Sequence, residues 1–373
     1  MQINRCRICK SSLQLVFSLG DQPLANNFLK TRDEIQPVYP LDLYQCTHCT
    51  LLQLGYVVPK EELYDEYTYI PSASKVYLQH FETLSKKIGD SLNLPKGSLI
   101  VDIGGSDGSL LEAFKNIDME VVNIEPAKNI KVKEGIPVIR EYFNRKVAQQ
   151  VVDRYGKAKL ATATNSFAHI DDLYAYLDAL DILLDDDGVF FAQFPDARNL
   201  LKENQFDTIY HEHLSYFTYE PLHHLFSNSK FELFNITSDN IHGGSMQIWV
   251  RKRPQLLKTF TKSVQAIRKD LSSYISEQQA AGKKVVGFGA AAKGTVLLNA
   301  ADIHLDYVVD STPYKQNKFV PGVGTPIYPE AHLLEDPPDV VLILAWNFKN
   351  EIMEKLRFRG YKFVIPIPKL EII

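Results

Sequence analysis

The stretch Leu99-Ile-Val-Asp-Ile-Gly-Gly-Ser-Asp-Gly-Ser-Leu-Leu111 decides the fold of this chain. Its branched apolar run predicts a buried parallel strand that ends at Gly104-Gly105, and the apolar periodicity after Gly108 predicts a helix. A strand, a glycine turn and a helix let the backbone approach a ligand closely and direct helix N–H groups at it. The glycines do not follow the dinucleotide spacing G-x-G-x-x-G. The stretch therefore predicts a ligand-binding turn of another kind.

Two acidic residues accompany this turn. Asp102 lies on the predicted strand, and Glu125 lies at the end of the next one. The combination resembles an S-adenosylmethionine pocket, in which the loop backs the methionine half and Glu125 takes the ribose hydroxyls. A plain strand–turn–helix connection without a ligand is the alternative. The residues predicted to bind this cofactor are Asp102, Gly104, Gly105, Asp107, Gly108, Glu125 and Asn165.

The length, composition and net charge indicate an ordinary globular protein. The chain has 373 residues, 45% of them apolar and 23% charged, so two or three domains are expected. A net charge of −4 gives no footprint for nucleic acid or anionic lipid. The N-terminus lacks a signal-peptide profile, and no apolar run reaches ~18 residues. We expect a cytoplasmic protein with no membrane or nucleic-acid partner, as a monomer or weak dimer.

The four cysteines of the chain form two C-x-x-C pairs. Cys6 and Cys9 make up the first pair, and Cys46 and Cys49 follow after 36 intervening residues. Two such pairs predict a four-cysteine zinc site, because each pair offers two thiolates to one metal. Thiolates fill every coordination position, so the predicted zinc is structural. We therefore expect a small N-terminal domain of loops and strands that the metal holds together.

The middle of the chain alternates between predicted strands and helices. Alternation of this kind predicts a parallel sheet with helices on both faces. Two later strands, 232–237 and 245–251, have no long helix between them, which predicts an antiparallel pair at the sheet edge. The other predicted strands are 99–103, 119–125, 136–139, 159–165 and 188–194, and the predicted helices include 75–92 and 172–184.

A second strand and glycine turn lies near the C-terminus. Residues 254–282 predict a linker helix, and Val285-Val-Gly-Phe-Gly-Ala-Ala-Ala-Lys-Gly294 then matches G-x-G-x-x-A. Asp310 lies 21 residues beyond Gly289, as in a dinucleotide fingerprint, so this region alone suggests NAD. Lys293-Gly294 at the helix start instead favours a diphosphate held by charge and by backbone amides. Strands at 339–345 and 362–366 complete a second α/β unit.

Tyr210-His-Glu-His213 concentrates two imidazoles and a carboxylate after the fifth strand. A histidine base whose neighbouring carboxylate raises its basicity and selects its tautomer would explain this pattern. A metal site and a solvated polar loop are the alternatives, although H-E-x-x-H is absent. His169 follows the fourth strand, and the tyrosine-rich segment 58–74 is either a surface loop or a lid over the site.

These motifs, in this order, resemble the three-domain, zinc-containing sugar C-methyltransferases that act on nucleotide-linked keto-deoxysugars. The resemblance spans nearly the whole chain and includes His242-Gly-Gly-Ser245. It implies a zinc domain at 1–60, a Rossmann-like class I methyltransferase domain at 61–253, and a Rossmann-like sugar-nucleotide domain at 254–373. The cofactor loop reads Gly-Gly-Ser-Asp where the family more usually has Gly-Ser-Asn-Asp, which loosens the assignment of individual loop contacts.

The resemblance also implies roles for individual residues. His213 would remove the proton alpha to the keto group, with support from Tyr210, Glu212 and His169. A tyrosine of the early segment, Tyr67 or Tyr69, would contribute as well. The residues implied to hold the dTDP-, GDP- or CDP-linked sugar are His242, Ser245, Gly289, Lys293 and Gly294.

The predicted function is deprotonation of a keto-deoxysugar nucleotide alpha to its carbonyl and methylation of the resulting carbanion from S-adenosylmethionine. Three alternatives remain at this point. An O-methyltransferase would need a base for a hydroxyl but no keto group. An oxidoreductase would use NAD at Gly287–Ala292, and a non-catalytic sugar-nucleotide-binding protein would keep only the fold.

Overall fold

The computed structural model describes residues 1–254 and 256–373, with the side chains of residues 242, 256–258 and 358 outside that description. The chain divides into two compact units, Met1–Arg253 and Pro254–Ile373. Each unit contains a seven-stranded sheet, and the predicted α/β fold is confirmed. Among the described helices, none combines the length and the apolar character needed to cross a bilayer.

The first unit alternates strands with helices along most of its length. Its strands are β1 (Leu13–Pro23), β2 (Val38–Cys46), β3 (Leu52–Leu54), β4 (Leu99–Ile103), β5 (Glu120–Ile124), β6 (Val138–Ile139), β7 (Ala158–Thr164), β8 (Leu184–Pro195), β9 (Ser215–Tyr216), β10 (Phe231–Asp239) and β11 (Ser245–Lys252). Its helices are α1 (Lys60–Tyr64), α2 (Lys75–Leu92), α3 (Ser109–Lys115), α4 (Arg145–Tyr155), α5 (Leu173–Leu183), α6 (Ala197–Lys202) and α7 (Tyr219–Ser227).

The central sheet has the order β10-β11-β8-β7-β4-β5-β6. The five strands β4 to β8 pair in parallel, whereas β10 and β11 form the predicted antiparallel pair at one edge. All five residues of β4 are buried, and four of them are apolar, as expected of a parallel strand covered on both faces; Asp102 is the charged exception. Because the strands are parallel, the loops after β4, β5, β7 and β8 meet at one edge of the sheet.

The N-terminal segment is joined to this unit by a second, smaller sheet. Its order is β1-β2-β3-β9, and β9 comes from residues far along the chain. The buried Arg7 guanidinium adds to the connection, because it donates to the carbonyl oxygens of Leu54 and Leu214 at 2.9 and 3.0 Å. Residues 1–60 and 61–253 therefore pack as one compact unit.

The strands of the second unit are β12 (Val285–Phe288), β13 (Val308–Val309), β14 (Lys318–Phe319), β15 (Pro326–Tyr328), β16 (Val340–Ile343), β17 (Lys362–Ile365) and β18 (Glu371–Ile372). They form a sheet of the order β14-β15-β13-β12-β16-β17-β18, with β12, β13, β15, β16 and β17 parallel. Leu271 and Ile275 of its first helix are buried in the core, whereas Phe260 is 66% exposed. The later part of the predicted linker helix thus contributes to the core. The helices of this unit are α8 (Leu256–Ala280), α9 (Ala292–Ala301), α10 (His332–Glu335) and α11 (Lys349–Leu356).

Candidate active site

The four cysteine sulfurs converge beside the small sheet. Cys46 ends β2, and its Sγ lies 3.3 Å from that of Cys9, while the sulfurs of Cys6 and Cys49 are 3.4 Å apart. All four Sγ atoms lie within 4.8 Å of one another. Thiolates around a tetrahedral zinc with bonds of ~2.3 Å would stand about 3.8 Å apart, so this donor set fits zinc. The predicted zinc site is confirmed as a cluster of ligands, and its four thiolates leave no open position for chemistry.

A cavity of about 810 Å³ opens at the carboxyl edge of the central sheet. Its walls come from the glycine turn after β4, the loop after β5, the loop after β7 and the segment that contains α1. This is where parallel α/β sheets bind ligands, because several loops converge there around exposed backbone amides.

The glycine turn forms one wall of this cavity. At two of its positions, any side chain would collide with neighbouring residues. A Cβ on Gly104, whose φ is +74°, would lie 2.7 Å from the Ser166 Cβ. A Cβ on Gly105 would lie 2.5 Å from Oδ1 of Asn123 and 2.7 Å from Oδ2 of Asp102. Glycine is therefore required at both positions, and the backbone of the turn is left open to a ligand.

Glu125 lies opposite this turn, 6% exposed, with both carboxylate oxygens oriented by backbone amides. Ser106 N donates to Oε2 and Ala127 N donates to Oε1, each at 2.8 Å. Burial raises the pKa of Glu125, and the two amides oppose that rise. A carboxylate has about four acceptor positions, so two remain for hydroxyl donors. The geometry fits the predicted ribose contact of S-adenosylmethionine.

Three predicted cofactor residues shape the turn from behind, and the cavity lining does not include them. Asp102 is buried beneath the turn, where its Oδ1 accepts from the Thr162 hydroxyl at 2.7 Å. Asp107 precedes α3, and its Oδ1 accepts from the amide and the hydroxyl of Ser109 at 3.1 and 2.7 Å. Gly108 is the α3 N-cap with φ +80°, and Ile136 lies behind it. The side chains of Asp102 and Asp107 thus make hydrogen bonds inside the protein, and Gly108 begins the helix; contact of these three residues with the cofactor stays a prediction.

Asn165, the last predicted cofactor residue, does line the cavity. It has a positive φ of +57°, and its Nδ2 donates to the Tyr77 hydroxyl at 2.5 Å. Its buried Oδ1 has no hydrogen-bond partner among the described residues. Tyr77 and Ser106 also line the cavity, and neither was predicted from the sequence as a site residue. Ser106 lies within the glycine turn, and this position could have identified it from the sequence.

The tyrosine-rich segment 58–74 covers the cavity as the lid alternative predicted. Tyr64, Tyr67 and Tyr69 all line it. The Tyr67 hydroxyl donates to Oε2 of Glu212 at 2.8 Å, whereas Tyr69 is 40% exposed and its carbonyl accepts from the Ser106 hydroxyl. Of the two tyrosines left open by the sequence, Tyr67 is thus the one with a hydrogen bond to Glu212.

The imidazole of His213 is oriented by two hydrogen bonds. Its Nδ1 lies 2.9 Å from the Thr208 carbonyl oxygen, and its Nε2 lies 2.8 Å from the Tyr210 hydroxyl. A carbonyl only accepts, so Nδ1 carries the hydrogen and Nε2 keeps its lone pair. The Thr208 carbonyl, rather than the expected Glu212 carboxylate, therefore selects the tautomer. Sequence reasoning missed Thr208 because a backbone carbonyl has no side-chain signature.

Glu212 contributes its carboxylate to a different part of the site. Its Oε1 accepts from Asn26 at 2.7 Å, and its Oε2 accepts from Tyr67. Burial raises the pKa of Glu212, and these two donors oppose the rise. His211 is directed to the Tyr39 carbonyl at 3.2 Å, and the only metal-type cluster among the described residues is that of the cysteines.

His169 connects this cluster to the cavity. It ends the short 3-10 turn Phe167–His169, and its ring lies 5.2 Å from that of His213 and stacks on Tyr64 at 5.7 Å. Its buried Nε2 has no hydrogen-bond partner among the described residues. Burial lowers the pKa of His169 well below its ordinary value, and the neighbouring His213 lowers it further. Tyr67 and His169 line the cavity, and the 210–213 segment lies directly behind them.

The predicted substrate residue Ser245 lies inside the first unit. It is fully buried, and its hydroxyl donates to the Ile241 carbonyl at 3.0 Å, so it shapes its own turn instead of facing the cavity. The side chain of His242 lies outside the described residues.

The second unit contains the other predicted substrate residues. Gly289 has φ +87° and starts the turn after β12, while Gly294 is buried, since a Cβ there would lie 2.8 Å from the Leu344 Cβ. Gly294 therefore packs α9 against β16. Lys293 donates to the Asn347 side chain and lies 4.4 Å above the ring of Trp346.

Asp310 is occupied by its own unit. Its Oδ2 accepts from Ala290 N at 2.7 Å and from Lys315 Nζ at 3.1 Å, and its Oδ1 accepts from Thr312 N at 2.8 Å. The carboxylate thus ties the glycine turn to the loop after β13. A dinucleotide site would use this acid for a ribose, so the NAD alternative loses its main support.

Comparisons with known proteins cover all parts of the chain. Residues 6–64 match a zinc binding domain family, residues 77–235 a methyltransferase domain family and residues 250–368 the C-methyltransferase C-terminal domain family. The chain is 31% identical to the C-methyltransferase NovU of Streptomyces niveus, over 100% of this chain and 97% of that protein.

Two solved structures are more distantly similar. A SAM-dependent methyltransferase from Anabaena variabilis shares 12% identity, covering 53% of this chain and 100% of its own with a TM-score of 0.36. Magnesium protoporphyrin IX methyltransferase from Synechocystis PCC 6803 shares 14% identity, covering 48% of this chain and 84% of its own with a TM-score of 0.37.

The full-length similarity agrees with the site. A cysteine cluster fitted to zinc, a glycine turn and acid suited to S-adenosylmethionine, and a C-terminal α/β unit follow one another as in the matched families. The chain belongs to the C-methyltransferase family and is an S-adenosylmethionine-dependent C-methyltransferase with a zinc-binding domain.

Proposed function

We propose that this C-methyltransferase acts on a keto-deoxysugar linked to a nucleoside diphosphate, and that His213 removes the proton alpha to the keto group. One observation carries the proposal: the Thr208 carbonyl holds Nδ1–H of His213, which leaves Nε2 as a proton acceptor beside Tyr210. A C-methyltransferase must create a nucleophilic carbon, and a histidine has the pKa range suited to that task near neutral pH.

The chemistry requires a carbonyl next to the methylated carbon. A sugar C–H is acidic only when the electron pair of the broken bond can move onto a neighbouring keto oxygen as an enolate. Nε2 of His213 takes the proton, and the Tyr210 hydroxyl turns from Nε2 to the keto oxygen, where the negative charge develops. Burial raises the pKa of Tyr210, so this hydroxyl stays protonated and able to donate.

Two further side chains support this step. Burial keeps His169 neutral, so its imidazole can exchange a hydrogen bond with the sugar without adding a positive charge. Tyr67 lies between the cavity and Glu212, where its hydroxyl is held at 2.8 Å from the carboxylate. The remaining predicted lid tyrosine, Tyr69, would close the cavity near the cofactor turn.

S-adenosylmethionine, when bound, supplies an electrophilic methyl group. Gly104, Gly105, Glu125 and Asn165 would hold it, because they line the cavity beside open backbone and free acceptor positions. The tyrosines of segment 58–74 that line the cavity would exclude water from the bound reactants, which would protect the enolate from reprotonation. In the second unit, Gly289 and Lys293 would hold the diphosphate of the nucleotide.

The test is proton exchange without methyl transfer. The enzyme is incubated in deuterated water with S-adenosylhomocysteine and a dTDP-linked 4-keto-6-deoxyhexose, and exchange alpha to the carbonyl is followed by NMR. Wild type is expected to exchange this proton, and His213→Asn to lose roughly 10²- to 10⁴-fold in rate with cofactor binding intact. His223→Asn, an exposed histidine on α7, serves as the matched control.

Two outcomes would contradict the proposal. Exchange in His213→Asn at the wild-type rate would place the base elsewhere, with His169 as the next candidate. Methylation of a 4-hydroxy nucleotide sugar, with no exchange on any keto sugar, would contradict a keto-sugar substrate.

A further inference from the structure

Asn26 reaches the active site from the zinc-bearing part of the chain. It lies in the connection between β1 and β2, two residues after Leu24, which is buried with Val58 and Leu63. Asn27 N donates to the Leu24 carbonyl at 3.2 Å and closes a turn around Asn26. The Thr68 hydroxyl donates to the Asn26 carbonyl at 3.3 Å. The backbone of Asn26 is therefore held both by the N-terminal core and by the lid segment.

The Asn26 side chain ends on the Glu212 carboxylate. Its Nδ2 lies 2.7 Å from Oε1, and the Tyr67 hydroxyl lies 2.8 Å from Oε2. An ionised carboxylate only accepts, so both partners donate, and the amide nitrogen of Asn26 must be the atom that faces it. Glu212 is 2% exposed, so these two uncharged donors replace water around the carboxylate. Residues 26, 67 and 212 come from three separate segments that meet at this one group.

We propose that Asn26 is a positioning residue of the methyl-transfer site, which holds the Glu212 carboxylate against Tyr67 and makes the zinc-bearing segment part of the active site. The inference rests on the proposed function to the extent that Glu212 and Tyr67 serve the reaction. The zinc cluster then has a consequence for catalysis, because it stabilises the small sheet from which Asn26 projects.

The charge of the carboxylate gives this role a measurable signature. Burial raises the pKa of Glu212, while the bonds from Tyr67 and Asn26 lower it. The titratable groups that face Glu212 are Tyr64, Tyr67 and Tyr210, and burial raises the pKa of each, so all three remain neutral near pH 7. His213, the proposed base, is also titratable and is the next residue in the chain. Loss of the Asn26 donor should therefore raise the pKa of Glu212 further.

The first experiment compares Asn26→Leu with Asn26→Asp and with the exposed neighbour Asn27→Leu as control. Asn26→Leu should lower kcat about tenfold or more at pH 7, with S-adenosylmethionine affinity and zinc content unchanged. In the profile of kcat against pH, the acid limb of this variant should move to higher pH. Asn26→Asp places a second carboxyl beside Glu212, so it should work best at low pH, where one of the pair is protonated and donates.

The second experiment repeats Asn26→Leu in a Glu212→Gln background. If Asn26 acts through the carboxylate, the pH-dependent part of its effect should disappear there. An equal loss in both backgrounds at every pH would overturn the proposal. Wild-type kcat in Asn26→Leu would overturn it as well.

A third measurement separates this proposal from the proposed substrate. A raised pKa for Glu212 means that the folded chain binds this proton more tightly than the unfolded chain, so its stabilising contribution is lost as pH rises. The deficit of Asn26→Leu in Tm should therefore grow as pH rises above 4.5, the ordinary pKa of a glutamate, without any substrate present. A deficit that stays constant over this range contradicts the contact, whereas failure of wild type with keto sugars contradicts only the proposed function.

Discussion

The two units of this chain each contain a strand, a glycine turn and a helix, yet the two turns are used differently. In the first unit, Gly104 and Gly105 face a cavity of about 810 Å³. In the second unit, Gly287 on β12 and Gly294 on α9 both pack against Leu344, so these glycines allow close packing inside the unit. A shared local pattern therefore specifies the turn but not what lies in front of it.

The acids that follow the two turns sharpen the contrast. Glu125 is held by two backbone amides and keeps free acceptor positions toward the cavity. Asp310 is held by two backbone amides and also by the Lys315 ammonium. The acid that we propose as a cofactor ligand in the first unit therefore corresponds to an acid in the second unit that holds two loops together.

The largest effect is expected from the zinc cluster, which belongs to the first unit alone. Wild type should carry one zinc per chain, and Cys49→Ser should lose the metal and at least about 3 kcal/mol of stability in the first unit. The second unit should unfold as before. Elemental analysis with scanning calorimetry checks this, and His48→Ala, between the ligands, is the control that should keep its zinc. Substoichiometric metal in freshly purified wild type would contradict the prediction.

The next largest effect concerns the two acids. Hydrogen bonds to a charged group contribute ~1.5–3 kcal/mol each, so Glu125→Ala should weaken S-adenosylmethionine binding at least roughly tenfold. Asp310→Ala should leave that affinity unchanged, because its carboxylate serves only the second unit. Isothermal calorimetry measures both variants. Equal affinities in wild type and Glu125→Ala would mean that another residue holds the ribose.

A smaller effect is expected in the second turn. Lys293→Ala should raise KM for the nucleotide sugar by up to about tenfold, because one charge-assisted contact to the diphosphate is lost. Cofactor affinity should not change, and the exposed Lys262→Ala on α8 is the matched control. Steady-state kinetics with the dTDP-linked keto sugar gives the answer. A fall in cofactor affinity instead would reverse the roles of the two units.

The smallest effect is the pH dependence of stability that arises from Asp102, which is buried beneath the first turn. Burial raises the pKa of Asp102 from 3.8 to about 7. The folded chain then binds this proton more tightly than the unfolded chain, so stability is lost as pH rises from about 4 to 7. Asp102→Asn removes that loss, and its Tm should gain on wild type over this window. A constant difference between the two thermal unfolding curves would show that Asp102 ionises normally.

Much of this protein was determined by short-range patterns in its sequence. The four cysteines, the strand and turn at 99–108, the helix at 75–92 and the antiparallel edge pair all follow from spacing and periodicity. Such features depend on neighbours in the chain, so they survive without knowledge of the rest of the fold. The choice of 210–213 as a site segment also rested on local residue types.

Tertiary structure alone decided how the side chains of that segment are used. The Thr208 carbonyl orients His213, and Asn26 meets Glu212 across 186 positions of the chain. In the folded chain, Asp107 accepts a hydrogen bond from Ser109 and Gly108 packs against Ile136, whereas Gly105 lies at the cavity wall. Backbone acceptors carry no sequence signature, and contacts between distant segments exist only after folding. The physical reason is that a residue type specifies which bonds a group can make, while the fold selects its partner.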